Sequence, residues 1–344
     1  MINNKINYFT PLTGIEQNAL DQINDLALDE NINQIAVFPD IHYCDEKAIP
    51  VGLAFSTKAH IYPLITGKDV GCGVAYMKIP KQYQKKEFDK EKHYNAFYAA
   101  HIKMTDEGLG GGNHFLSLEQ DEENLYIIVH TGTRNRGIYM YQKHYSMLNG
   151  KNYITIDEIN SNFPEWYSEY NDVLFYGVNR RKQFLYGTLD FLVRNGYVEE
   201  KDFYMNDSIH NHIKKESDFW IHRKGSTELN NDIVVVPLSM TRGSLLVKST
   251  YEAGNLNSCS HGAGRALSRT KTLKYWYASL KKKERNGYKI KFSELLDRNG
   301  EFSKGYIQEF DFAYKDTIDL MKDQYFLNQN TQTTPICTIK FSEL

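Results

Sequence analysis

Ser258-Cys259-Ser260-His261-Gly262-Ala263-Gly264-Arg265 sets one imidazole at the head of a turn of small residues that closes on an arginine. Glycines at 262 and 264 permit positive φ and close approach to a ligand, and no bulky neighbour screens His261. The Arg265 guanidinium offers a planar fork for a phosphate beside that ring. A tight turn whose histidine caps a neighbouring element is the plain alternative, so the decision rests on other segments.

Four such segments supply it. Asp69-Val70-Gly71-Cys72-Gly73 spaces a carboxylate and a thiol three residues apart with glycines that let both turn to one ion. Gly112-Asn113-His114-Phe115 delivers a polar pair from a glycine loop into an apolar run, and His130-Thr131-Gly132-Thr133-Arg134 places a histidine before a turn that ends in an arginine. Ile209-His210-Asn211-His212 alternates its two imidazoles, so in an extended segment only one of them reaches a given site. Each has a bland reading as a satisfied core or turn residue. Together they offer one Asp, one Cys and at least three His, with Arg134, Lys224 and Arg265 as cationic side chains for an anion. A mixed Cys/His/Asp shell suits Zn²⁺, Mn²⁺, Fe²⁺ or Co²⁺ better than Mg²⁺ or Ca²⁺. A thiolate able to bridge makes two adjacent metals possible, the arrangement used in phosphoryl displacement. Beside such a centre a neutral imidazole can act as a nucleophile toward phosphorus.

The elements that must aim these groups read as short apolar strands at Ile35 to Phe38, Val51 to Phe55, Val74 to Ile79, Tyr126 to Val129, Val234 to Val236 and Leu245 to Lys248. Helical spacing covers Ile15 to Leu28, Arg181 to Val193 and Thr317 to Phe326, while Tyr145 to Tyr170 is weakly patterned and is expected to be loop-rich. Asp69, Cys72 and His130 therefore fall at strand ends, where a sheet can converge side chains. The expected class is α/β or α+β, in one continuous domain.

At 344 residues and 41% hydrophobic content the chain can bury a substantial core. Its net charge of −2 excludes a global pull toward nucleic acid, so such binding must be local. Between His261 and Lys291 ten Lys or Arg residues (265, 269, 271, 274, 281, 282, 283, 285, 289, 291) face one acid, Glu284, which makes that stretch the candidate polyanion surface. A solvated helix face is its equal alternative. Trp276, with Tyr275 and Tyr277, could stack bases or pack a helix onto the core. The start of the chain lacks an apolar signal-peptide core and no run is long enough to cross a bilayer, so a soluble, cytoplasmic protein without membrane contact is expected. Four scattered cysteines give no disulfide framework.

From Pro39 to Lys340 the chain resembles the RtcB family of RNA ligases. The resemblance is carried, in order, by Pro39-Asp40-Ile41-His42, Asp69-Val70-Gly71-Cys72-Gly73, Gly112-Asn113-His114-Phe115, His130-Thr131-Gly132-Thr133-Arg134, His210-Asn211, Arg223-Lys224-Gly225, His261-Gly262-Ala263-Gly264-Arg265 and Ile336-Cys337-Thr338-Ile339-Lys340. It implies a single catalytic domain over 1–344, with a central mixed β-sheet surrounded by helices and a metal site at the strand ends. It further implies two Mn²⁺ bridged by Cys72, one completed by Asp69 and His114, the other by His130 and His210. His261 would become guanylylated by GTP, and Gly262, Ala263 and Gly264 would line the nucleotide. Asn113, Arg134, Lys224 and Arg265 would hold phosphates, Lys340 the guanine, and Ser239 and Tyr314 further parts of the nucleotide. The implied reaction joins an RNA 2′,3′-cyclic phosphate or 3′-phosphate end to a 5′-hydroxyl through a histidine-GMP and an RNA(3′)pp(5′)G end, in RNA repair or tRNA splicing.

Three departures accompany it. Tyr43-Cys44-Asp45-Glu46-Lys47 replaces a glycine continuation; Ser117 stands where the family has an acid, with Glu119 two further on, which puts a ribose contact in question; and Thr241 replaces a glycine after Met240. A metal-dependent phosphatase or cyclic phosphodiesterase, and a non-catalytic sensor of RNA ends or nucleotides, are the alternatives.

Overall fold

The computed structural model describes all residues except 1–3, 45–48, 106, 231, 251, 253 and 341–344, so that Asp45 to Lys47 of the altered segment lie outside the described residues. Its core is divided between two five-stranded sheets instead of one. The first orders Ile6–Tyr8, Ile32–His42, Val51–Thr57, Phe219–Lys224 and Asn211–Glu216, with one parallel pair at its edge. The second orders Thr334–Ile339, Phe115–Gln120, Asn124–Thr131, Gly73–Pro80 and Tyr204–Ile209, antiparallel throughout. The mixed α/β class holds. Every expected strand is present and longer than its apolar run, because ladder pairing continues into polar residues such as Asn124 and Thr131.

In the second sheet successive side chains serve two cores, as a two-residue period requires. Ala75, Met77, Ile79, Leu116, Leu118, Leu125, Ile127 and Val129 pack on one face against Phe184, Leu185, Leu189 and Leu192. Those last four come from the 29-residue helix Trp166–Arg194. Val74, Tyr76, Tyr126 and Ile128 pack on the other face, against Val235 and Leu246 of a third, three-stranded sheet. His130, Ser117 and Glu119 share the parity of this second face, which later bounds the candidate site.

Tyr145 to Tyr170 is not loop-rich. It holds the end of helix Asn135–Leu148, the helix Ile156–Asn162 and the start of Trp166–Arg194. Thr155 and Glu158 form a reciprocal capping box there, and Trp166 and Tyr170 are buried, so a few large anchors stabilise what regular periodicity does not. The helix expected to reach Phe326 stops at Asp323, and the chain turns into strand Leu327–Gln332. Among the described residues no helix is long and apolar enough to cross a membrane.

Candidate active site

One end of the second sheet gathers the candidate ligands. Cys72 precedes Gly73–Pro80, His114 precedes Phe115–Gln120, His130 is the penultimate residue of Asn124–Thr131, and His210 joins Tyr204–Ile209 of the second sheet to Asn211–Glu216 of the first. The Cys72 Sγ lies 3.5 Å from His114 Nε2 and 3.3 Å from His130 Nε2. These three donor atoms all fall within 4.8 Å of one another, a grouping able to hold a metal ion. Asp69 Oδ2 is 3.7 Å from His114 Nε2. The His210 ring centroid is 5.0 Å from that of His130 and 4.9 Å from that of His261.

The protonation states suit a cation. His130 Nδ1–H donates to the Asn113 carbonyl at 3.1 Å, which leaves the Nε2 lone pair toward the thiol. Burial pushes His130 and His210 well below the ordinary imidazole value, and neighbouring imidazoles push the same way. Desolvation pushes Asp69 up, but hydrogen bonding and charge from His114 and the contact with Cys72 hold it at about 2. Burial and the Asp69 carboxylate push the Cys72 thiol up, a direction that a coordinated metal reverses. The buried Nδ1 atoms of His114 and His210 have no hydrogen-bond partner. A thiol, a carboxylate and neutral imidazoles with uncommitted nitrogen atoms fit a borderline divalent metal.

Two adjacent arginines on Trp166–Arg194 hold this end of the sheet in place. Arg181 Nη1 donates to the carbonyls of Gly71 and Thr131 at 2.9 and 2.8 Å, and its Nε and Nη2 pair with Asp207 at 2.6 and 2.8 Å. Arg180 donates to the Gly132 and Gly108 carbonyls at 3.1 and 2.7 Å and to Thr105 Oγ1 at 2.9 Å. Both are fully buried. The backbone turns carrying Cys72 and His130, and the glycine loop before His114, are thus tied to one rigid helix.

His261 faces this cluster from the other side. It follows strand Ser258–Ser260, and both its backbone N–H and its Nδ1 meet Asp40 Oδ2, at 2.9 and 2.5 Å. With Nδ1 so engaged, Nε2 is the nitrogen that Asp40 does not hold. Burial disfavours the His261 cation, but the Asp40 charge and hydrogen bond outweigh it and its pKa is raised. Gly264, at φ +71°, allows the turn to sit on Asp40: a Cβ there would lie 2.7 Å from the Asp40 Cα. Gly262 takes no positive φ. His261 opens into a cavity of about 370 Å³ whose walls include Asn113, His114, His130, Ser239, Gly262, Ala263, Gly264, Arg265, Tyr314 and Lys340.

A family profile described as tRNA-splicing ligase RtcB matches residues 98–341. The chain belongs to the RtcB family. It is 28% identical over 294 residues to the RNA-splicing ligase RtcB2 of Escherichia coli, covering 74% of each chain. It is 23% identical over 343 residues to the RNA-splicing ligase RtcB of Escherichia coli strain K12, covering 79% of this chain and 84% of that one. To the tRNA-splicing ligase RtcB of Methanocaldococcus jannaschii it is 26% identical over 221 residues, which span 49% of this chain and 23% of the other.

Among the residues carried over from the RtcB pattern, those lining the cavity are held in detail. Glu309 ties several together: it accepts from Arg269 at 2.9 Å and from the Tyr314 hydroxyl, and lies 3.8 Å from Arg265 and 3.4 Å from Lys340. Arg265 also donates to the Leu267 carbonyl, the Tyr314 hydroxyl and Thr272 Oγ1. Ser239 Oγ accepts the Arg242 N–H at 3.0 Å. Two of the candidate phosphate contacts lie off this wall. Arg134, a non-glycine at φ 54°, lines an adjoining cleft of about 940 Å³ with Lys103, Lys304 and the loop Gly108–Gly112; Arg269 and Lys340 border both spaces. Lys224 is buried with its Nζ 3.7 Å from Cys44 Sγ, and burial lowers its pKa. Of the RtcB departures, Ser117 bonds Thr338 at 3.0 Å, while Glu119 enters the cavity wall. Trp276 is buried and stacks on Phe312. Tyr275 and Tyr277 are exposed, as are Lys271, Lys274 and Lys281 to Lys283.

Asp40, Glu309, Arg180 and Arg181 carried no assigned role in the sequence. Asp40 was within reach, since it lies in Pro39-Asp40-Ile41-His42. The two arginines give no sequence signal beyond a charged pair within a helical stretch.

Proposed function

We propose that this chain is a GTP- and Mn²⁺-dependent RNA ligase that joins 2′,3′-cyclic phosphate or 3′-phosphate ends to 5′-hydroxyl ends in RNA repair or tRNA splicing. The observation that supports it best is His261: its Nδ1 is clamped by a buried carboxylate, and the residue lines a cavity shared with His114, His130 and Arg265. Membership of a family whose relatives are named RNA-splicing ligases supports it further.

Asp69, Cys72, His114, His130 and His210 would hold two Mn²⁺, which when bound neutralise charge on phosphoryl oxygens. Asp40 keeps the Nδ1 proton, so the Nε2 lone pair of neutral His261 forms the bond to the α-phosphorus of GTP. The bond from that phosphorus to the bridging oxygen breaks and pyrophosphate leaves. The ring gains positive charge as it is phosphorylated, and the Asp40 carboxylate stands 2.5 Å away to offset it. An RNA 3′-phosphate oxygen then attacks the same phosphorus, and the electron pair of the broken P–N bond returns to Nε2. The RNA 5′-hydroxyl oxygen attacks the RNA-side phosphorus and displaces GMP. Arg265, Asn113 and Lys340 border the space where these phosphates and the nucleotide would lie; Arg134 and Arg269 extend a cationic lining into the adjoining cleft. Lys224 would serve the phosphates only after leaving Cys44. Ser239 and Tyr314 would line the nucleotide, and the exposed lysines beyond Arg269 would carry RNA backbone.

The reading takes residues 1–344 as one catalytic domain, because Asp40 of the first sheet and His130 of the second bound the same cavity. Incubation with GTP labelled at the α-phosphorus and Mn²⁺ tests it: an acid-labile covalent adduct is expected. A wild-type protein that takes no label with any divalent metal sinks the ligase reading. Opening of cyclic phosphates without GTP would place the chain among hydrolases, and nucleotide binding without an adduct among sensors.

A further inference from the structure

Five Lys or Arg residues are buried among the described residues, and four of them have a carboxylate at hand. Arg180 lies 3.7 Å from Glu107, Arg181 2.6 Å from Asp207, Arg223 2.6 Å from Glu216 and Lys340 3.4 Å from Glu309. Lys224 is the fifth. It is 6% exposed and makes no ion pair among the described residues, and its Nζ donates to Cys44 Sγ at 3.7 Å. A buried ammonium without a counter-charge is costly and gives up its proton readily. Burial accordingly lowers the Lys224 pKa, which brings the nucleophilic amine form within reach.

The pair is positioned by two strands of the first sheet. Lys224 ends Phe219–Lys224, opposite Leu53 on one side and Asn211 on the other. Cys44 follows Ile32–His42, and its carbonyl accepts from Gln22 Nε2 at 2.9 Å. Cys44 is half-buried, whereas Cys72, Cys259 and Cys337 are buried, so it is the thiol that a small oxidant meets first. A partly exposed thiol beside a cationic side chain is the setting in which oxidation is site-selective. The site also lies close to the candidate nucleophile: Gly225, next to Lys224, packs on the His261 ring, and a Cβ there would stand 3.1 Å from His261 Cε1.

We propose that Cys44 and Lys224 form a redox modification site, where the lysine captures the peroxide-oxidised thiol in a reversible sulfur–nitrogen bond and is thereby withdrawn from phosphate binding. The Cys44 sulfur attacks one oxygen of hydrogen peroxide, the O–O bond breaks, and sulfur is oxidised to a sulfenic acid as peroxide is reduced to water. The Lys224 Nζ lone pair then attacks that sulfur. The S–O bond breaks, and the departing hydroxide takes the amine proton to form a second water. An added thiol reverses the link: it attacks sulfur, the S–N bond breaks, the amine regains a proton, and a further thiol reduces the mixed disulfide. The effect on phosphate binding rests on the reading of Lys224 in the proposed function; the bond itself does not.

The test treats the full chain with a modest excess of hydrogen peroxide and reads two things, the digest by mass spectrometry and labelling by GTP marked at the α-phosphorus. Wild type should yield a peptide pair joined through Cys44 and Lys224, lighter than its parts by two hydrogen atoms and separated by dithiothreitol. Labelling should fall about tenfold, the scale of one lost hydrogen bond to a charged group, and return with the thiol. Cys44→Ala should label like untreated wild type and keep that labelling under peroxide. A Cys44 that stays a thiol, or passes to sulfinic acid with no joined peptide, overturns the proposal. A joined peptide with undiminished labelling, or an equal loss in Cys44→Ala, overturns the effect on phosphate binding. If untreated wild type takes no label, the ligase reading fails, and the joined peptide still decides the modification. Should Cys44→Ala not fold, Lys224→Gln decides: its oxidised Cys44 should be trapped by dimedone where wild type is not, and equal trapping in both sinks capture by the lysine.

Discussion

Two sets of buried histidines make opposite use of the same side chain. His222 stacks on Phe55 at 4.5 Å between ring centroids, accepts the Tyr62 N–H at 3.1 Å and donates to the Trp220 carbonyl at 3.2 Å. Both its nitrogens are satisfied by protein. His101 donates through Nδ1 to the Phe97 carbonyl at 2.6 Å and packs on that ring, while its buried Nε2 has no hydrogen-bond partner. At the candidate site His114, His130 and His210 are as deeply buried, yet they face one another and a thiol, and two keep an unpartnered Nδ1. Burial of an imidazole is therefore uninformative by itself. What separates the candidate ligands is what their nitrogens face: His114 and His130 turn Nε2 to the Cys72 thiol, whereas His101 and His222 lie against aromatic rings and backbone carbonyls.

The strongest way to break this contrast is to exchange one residue from each set. His261→Ala should abolish the covalent GTP adduct, whereas His222→Phe should still be labelled; an adduct that survives in His261→Ala, read on a denaturing gel, removes the nucleophile from that residue. Cys72→Ala should come next, losing both bound metal ions by elemental analysis. It should also lose the stabilisation that Mn²⁺ confers on wild type in thermal melts, about 2.7 kcal/mol at a hundredfold excess over Kd. Retention of two equivalents would dispose of the bridging role.

Arg181→Leu tests the support beneath the ligands. It strands the Asp207 carboxylate and frees two carbonyls, so chemical denaturation should show a loss of about 3–5 kcal/mol, with metal affinity reduced as well. A loss under 1 kcal/mol would mean that the helix does not hold those turns.

A last test sets His222 and His144 against His261 by pH. Burial lowers His222 to about 3 and His144 to about 4, below the unfolded value near 6.5. The unfolded chain therefore binds protons that the folded chain refuses, so their contribution is fully present above pH 6.5 and declines on acidification. Each should lose about 1.4 kcal/mol per pH unit below 6.5 until its folded pKa is reached. Stability by urea titration of chelator-treated protein should fall between pH 6.5 and 4.5, and less steeply in His222→Phe. His261 has the reverse sign: its pKa is raised, so its pairing with Asp40 stabilises below pH 6.5 and is lost as pH climbs through the raised value. Adduct formation should increase over that same upper range, because only the neutral ring attacks. A labelling profile flat from pH 6 to 8.5 would contradict this.

Much of the candidate site was legible in the chain because its parts are local. Asp69 and Cys72 share one turn, His114 and His130 stand beside glycines at strand ends, and His261 heads its own small-residue turn. Apolar runs likewise marked the strands, since burial of both faces leaves unbroken Val, Ile and Tyr. The stretch from Tyr145 to Tyr170 was misread because Trp166, Tyr170 and the Thr155–Glu158 cap replace a regular hydrophobic stripe.

The sequence by itself determined which residues are candidates for metal and phosphate, and the class of fold that carries them. Only tertiary structure decided that Asp40 grips His261 across 221 positions, that Arg181 reaches back 110 residues to the Gly71 carbonyl, and that Glu119 lines the cavity beside His261. Those contacts join residues far apart along the chain. Their partners are chosen by how two sheets, a third sheet and one long helix pack, and no local spacing encodes that packing.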